Sequence, residues 1–116
     1  MRINVKFKFY DKKRKWLMDV MAIDWEKGII VGLYGRQHFI SLIEHGDLLQ
    51  YTGLKDKYRK EIYEGNIMTY SNSDKKYEVK FIQGRFSIEL GRPALWWEDS
   101  EVIGNIDENP ELLKSD

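Results

Sequence analysis

The residues most able to do chemistry here are two histidines, His38 and His45, because the chain has no cysteine. Thiolate nucleophiles, thiolate metal ligands and disulfides are thereby excluded. The two histidines stand seven residues apart, which matches neither the i,i+4 pair of a helical metal site nor the close spacing of two ligands on one strand. They read as surface or partly buried polar residues, so no metal and no cofactor is expected. Ser41, Ser71, Ser73, Ser87, Ser100 and Ser115 lie outside any G-x-S-x-G context, which leaves an activated serine without support. With 19 Asp and Glu in a chain that is 33% charged, carboxylates fall near one another by chance. Solvation and loose ion pairs explain them better than an acid–base pair does. Gly32 and Gly35, or Gly84 and Gly91, are followed by no Lys-Ser/Thr and open no helix, so they mark turns and bulges instead of a phosphate loop. The expectation is a protein that is not an enzyme.

Two groups are suited to contact instead. Lys12, Lys13, Arg14 and Lys15 form a basic hairpin tip beside Lys6 and Lys8, which alternate along one strand face. Such a patch fits phosphate or an acidic partner, with Tyr10 and Trp16 as the nearest stacking rings, since Phe7 and Phe9 point the other way. A solvated tip is the simpler reading. Trp96 and Trp97 are adjacent, so on a strand they face opposite sides, one toward the core and one toward a rim or interface; plain packing is the simpler alternative. Tyr51, Tyr63 and Tyr70 are similarly double-edged, and no spacing singles one out. Formal charge is zero, but residues 1–15 hold seven bases and one acid (+6) and residues 98–116 hold one base and seven acids (−6). Head and tail therefore offer complementary patches, within one chain or between subunits, whereas a neutral whole has no general pull on nucleic acid.

The elements that position these residues are short strands. With 116 residues, 42% hydrophobic and 14% aromatic, the chain is one domain's worth with material for one core. Ile3, Val5, Phe7 and Phe9 recur every second residue, a half-buried strand, and after "DKKRK" the run Trp16 to Ile23 returns as its hairpin partner. "EKG" turns into "IIVGLY" (29–34), and "HFISLI" (38–43) follows as a strand with a short helix as its alternative. "EHGDLLQYTGL" (44–54) is ambiguous. From Lys60, Ile62, Ile67 to Tyr70, Val79, Phe81, Phe86, Ile88 and Leu90 mark further strands, with "SNSDKK" (71–76) as the loosest loop. Only "ENPELLKSD" looks helical, with Asn109 as cap and Pro110 at the first helical position. The expected organisation is a single domain: N-terminal strands over 1–50 packed on a β-roll at 60–106, then a helical turn and tail at 107–116. No secretory pattern opens the chain and no eighteen apolar residues run together, so a cytoplasmic protein that avoids the membrane is expected.

Three blocks, "FYDKKRKWLMDV", "LLQYTGLKDKYRKEIYEGNIM" and "EVIGNIDENPELL", together resemble the YopX-like family of phage and prophage proteins, in the family's order and across most of the chain. The resemblance implies a mainly β fold with a small barrel or roll of the Src-homology-3 type, no catalytic residues, a bacterial host cytoplasm and assembly into oligomers. It makes an accessory protein acting through protein contacts, with its own copies or with a host or phage protein, the leading expectation. A nucleic-acid-binding regulator using the basic N-terminal hairpin is the alternative. The chain departs from the family twice. Tyr58-Arg59 stands where members often read Asn-Gly, so a turn wider than two residues is expected. Gly65-Asn66 stands where members often read Gly-Asp, which keeps the turn's side-chain hydrogen bond and discards the charge that a metal or acid–base role would need.

Overall fold

A computed structural model describes residues 5–70, 73–82, 84–87 and 99–113. The chain divides into two compact units, Met1–Gln50 and Tyr51–Asp116. In the first, β1 (Phe7–Asp11), β2 (Trp16–Asp24), β3 (Ile29–Tyr34) and β4 (Gln37–Leu42) form an antiparallel meander. A 3-10 turn, Ile43–His45, leads into β5 (Gly46–Lys55), whose first half pairs with β1, giving the order β4-β3-β2-β1-β5. The turn is tied at both ends: the Ile43 N–H donates to the Gly28 carbonyl at 2.9 Å, and the Lys12 N–H donates to the His45 carbonyl at 2.9 Å.

Strand periodicity puts Phe9, Met18 and Ile30 on one face, where they are fully buried against Trp16, Val20, Ile23, Phe39, Ile43 and Leu48. Burying each of these large side chains contributes about 1.5–3 kcal/mol. Phe9 lies opposite Met18 on β2 and Leu48 on β5, so the expected hairpin is the spine of this core. A bulge between Val20 and Ala22 breaks the β2–β3 register and turns Met21 out to solvent.

In the second unit the rest of β5 pairs with β6 (Glu61–Tyr63). A three-stranded sheet has the order β11-β7-β8, from β7 (Asn66–Tyr70), β8 (Ser73–Glu78) and β11 (Ser100–Asn105), and β9 (Lys80–Ile82) pairs with β10 (Arg85–Ser87). Ile62, Met68, Val79 and Val102 form the core, with Leu54, Tyr70, Tyr77 and Phe86 packed on it. Pro110–Leu113 is a short 3-10 turn. Asn109 accepts the Asn105 N–H on Oδ1 at 3.2 Å, so its side chain binds the preceding strand end.

The mainly β expectation holds, and the closed barrel does not. Among the described residues the sheets are open, because a barrel closes only when its first and last strands pair in a consistent stagger. Here β6 ends the six-stranded order β4-β3-β2-β1-β5-β6, β11-β7-β8 and β9–β10 are separate sheets, and several ladders are interrupted by register shifts. The "SNSDKK" loop is also corrected: Ser73 to Lys76 belong to β8, with Ser73 opposite Tyr70, so pairing to β7 overrides their polar composition. No helix among the described residues is long and apolar enough to cross a membrane.

Two hairpin turns share one design. At the β1–β2 turn, Asp11 Oδ1 accepts the Lys13 and Arg14 N–H groups at 2.9 and 3.0 Å, and Lys15 takes φ 63°. At the β5–β6 turn, Asp56 Oδ1 accepts the Tyr58 and Lys60 N–H groups, each at 2.9 Å, and Arg59 takes φ 68°. There the Arg59 N–H donates to the Asp56 carbonyl and the Asp56 N–H to the Lys60 carbonyl, a three-residue loop closed by a left-handed residue. The turn is wider than two residues, as the Tyr58-Arg59 pair requires, yet Arg59 still accepts the conformation that glycine would take freely. Arg59→Gly therefore raises stability by about 1 kcal/mol in equilibrium denaturation. An unchanged or lower stability would mean that the arginine side chain offsets its own backbone cost.

Candidate functional site

The four basic residues singled out in the sequence do not converge. Arg14 turns back over the sheet: its Nη1 lies 3.4 Å from Asp11 Oδ2, 3.2 Å from Ser41 Oγ and 3.2 Å from the Ile40 carbonyl. Its guanidinium also sits 5.6 Å from the Trp16 ring centroid and 5.5 Å from that of Phe39. Trp16 is itself stacked on Tyr34 at 4.4 Å and meets Phe39 edge-on at 4.8 Å, so this ring serves packing. Lys12 pairs with Asp47 at 3.5 Å, an exposed contact of little energetic weight. Lys13 and Lys15 remain as exposed tip residues.

Asp11 is the buried hub of that corner. Ser41 Oγ donates to its Oδ2 at 2.7 Å in addition to the two turn N–H groups and Arg14. Burial pushes its pKa up, but the Ser41 hydroxyl, the Arg14 and Lys13 N–H groups and the Arg14 charge outweigh that and hold the carboxyl below its ordinary value. Asp56 is the equivalent hub of the second unit, where its Oδ2 also accepts the Val102 N–H at 2.9 Å and the Lys57 N–H donates to the Ser100 carbonyl. These two aspartates were missed because their importance lies in burial. The signal available was an aspartate opening each basic tip, in the Asx position that orders a turn.

Chemistry in the ordinary sense does not gather here. His38 is exposed on β4, and His45 Nε2 lies 3.8 Å from Glu44 Oε1. No three His, Asp or Glu among the described residues stand close enough to hold a metal ion. Asn66 Oδ1 accepts the Tyr63 N–H at 2.7 Å, the turn-ordering bond expected of it. Trp96 and Trp97 lie outside the described residues.

What the N-terminal sheet does present is apolar surface. On the face of β3 and β4 opposite the core, the register sets Ile29 beside Leu42, Val31 beside Ile40 and Leu33 beside His38. Ile40 is 61% exposed, and Leu42, Met21 and Trp25 are exposed as well. Among the described residues β4 is the last strand of its sheet, so this apolar row runs to an edge. Arg14 occupies the Ile40 carbonyl there, which blunts the edge against strand addition and leaves the face as the part able to make contact.

These features define a mainly β protein of open sheets, with turns braced by buried aspartates and a row of apolar side chains left outside. The chain belongs to the YopX family: the family's model, described as YopX protein, matches residues 6–114. Among solved structures it is similar to the crystal structure of protein EF1440 from Enterococcus faecalis, with a TM-score of 0.67 and 26% identity over 97% of this chain and 100% of that one. No curated protein matches the chain.

Proposed function

We propose that this YopX-family chain is a phage- or prophage-encoded accessory protein that does no catalysis and works by protein contacts in the bacterial cytoplasm, first of all with its own copies. The observation that carries the reading is the outward row at the end of the N-terminal sheet, with Ile40 and Leu42 exposed and Ile29 and Val31 half-buried beside them. Several aliphatic side chains in cross-strand register on a solvent-facing surface mark a contact face more than a monomer's exterior. A second copy offers the same face, so a two-fold contact is self-complementary by construction. The finer architecture, a roll of the Src-homology-3 type, is supported by the meander whose fifth strand returns beside the first through a 3-10 turn.

Light scattering tests the reading. An apolar contact gives an oligomer in both low and high salt, and Ile40→Lys, which changes an exposed side chain, gives a folded monomer. Assembly that dissolves in high salt would instead assign the contact to the basic head and acidic tail. A strict monomer in both conditions overturns self-assembly.

A further inference from the structure

We infer that the β5–β6 hairpin tip, Lys57 to Lys60, is a binding site for single-stranded nucleic acid, with Tyr58 as the platform on which a base stacks. This goes beyond the self-assembly reading and uses a different part of the chain. In sequence the segment is a charged turn and nothing more. The comparison of the two hairpins within this chain changes that.

Both tips are basic, and both are ordered by an aspartate that caps the turn. At the first tip Arg14 is committed to Asp11, Ser41 and the Ile40 carbonyl and Lys12 pairs with Asp47, while Lys13 and Lys15 stay exposed. At the second, Asp56 is buried and spends its carboxylate on the backbone N–H groups of Tyr58, Lys60 and Val102, and on no side-chain cation. Lys57, Arg59 and Lys60 are exposed, and among the described residues none of the three has an ion-pair partner. Glu61 follows Lys60 and stands opposite Lys55, and Asp99 and Glu101 flank Ser100, whose carbonyl accepts the Lys57 N–H.

Tyr58 is the second observation. It is 68% exposed at the centre of the three cations, and Lys57 Nζ lies 5.2 Å from its ring centroid. A cation over one face of the ring leaves the other for a second planar group, and an exposed aromatic set among phosphate-binding cations is the general arrangement by which proteins hold unpaired bases. The third is Arg59, which keeps a left-handed backbone where glycine would be relaxed. That residue closes the three-residue loop, as Lys15 does at the first tip with φ 63°, and here it adds an exposed cation next in sequence to Tyr58. An acidic peptide would satisfy the cations but has no use for the ring, so the nucleic acid is favoured.

The experiment is fluorescence anisotropy of a short labelled oligothymidylate with the full chain across a salt series. Binding is expected with a slope of log affinity against log salt of about −2, the value for three cations on a single strand. Tyr58→Ala is expected to weaken binding about tenfold. The double change Lys57→Glu, Lys60→Glu abolishes it, while Lys13→Glu with Lys15→Glu leaves it unchanged. Arg59→Gly separates binding from folding, because affinity falls while the melting temperature rises. The proposal is overturned if no complex forms at low salt, if Tyr58→Ala binds as well as the wild type, or if polyglutamate competes as effectively as the oligonucleotide. None of these outcomes bears on light scattering of the free chain, so failure here and failure of self-assembly are distinguishable.

Discussion

Gly46→Ala destabilises the chain by about 3 kcal/mol or more, the upper end of what forcing an atom into a packed site costs. A Cβ at position 46 would run into the Tyr10 carbonyl oxygen and lie 2.7 Å from Cζ of Phe9. The first obstacle is backbone, which has no rotamer to escape into. Relief requires β5 to move off β1, and that separation opens the Phe9–Leu48 contact in the N-terminal core. Gly46 has extended backbone, φ −172°, so the requirement is space alone and not an unusual conformation. Urea unfolding measures the effect. A loss under about 0.5 kcal/mol, the range of an ordinary surface change, would show that β5 is not held against β1 as described.

Asp11→Ala is the second large effect, with an expected loss of about 2–3 kcal/mol, as for removing a buried charged acceptor from its hydrogen-bond donors while Arg14 stays open to solvent. The substitution leaves the Lys13 and Arg14 N–H groups without their acceptor, frees the Ser41 hydroxyl and strands Arg14 beside its two rings. Asp11→Asn keeps one carbonyl oxygen for the two N–H groups and therefore loses less. The pH dependence has a definite sign. Because the folded carboxyl has a lowered pKa, its contribution is complete above the unfolded value, about 3.9, and is lost as pH falls through the lower folded value. The stability gap between wild type and Asp11→Ala is therefore constant near neutrality and narrows in acid. A gap that widens on acidification would contradict the hydrogen-bonded carboxylate.

The part of the fold legible in sequence is the part written in side-chain period. The apolar period around Phe7 and Phe9 and the β-branched run of 29–34 correspond to β1 and β3, although β3 is buried on one face only, with Ile30 and Gly32 inside and Ile29 and Val31 half-buried on the other. β5 was ambiguous for a physical reason. Gly46 and Asp47 are poor strand formers, and what makes them a strand is the close approach of Tyr10, a contact 36 residues away in sequence. β8 was hidden in the same way, since Ser73 to Lys76 have no apolar period and are recruited by β7. Barrel closure is a property of strand stagger, to which local composition is blind.

The surfaces were legible only as composition. The basic run at 12–15 is visible to any reader, but that Arg14 bends back to Ser41 and Ile40 depends on a sheet that brings β4 to the first hairpin. The run at 55–60 looked like the same kind of turn, and its difference rests on where Asp56 spends its two oxygens. Ile40 sits in an apolar stretch, and strand alternation sends it outward while Phe39 and Ser41 go in. Charge and hydropathy told which residues are present at a surface, and pairing decided which of them are available.

The central claim, that the outward face of β3 and β4 is covered by a second copy, is tested most directly by hydrogen–deuterium exchange of the full chain over a dilution series. The account predicts that amides of residues 29–34 and 37–42 lose protection as the protein is diluted, while those of β7 and β11 do not change. Protection in β3 and β4 that is independent of concentration, or a concentration dependence confined to other strands, would contradict it.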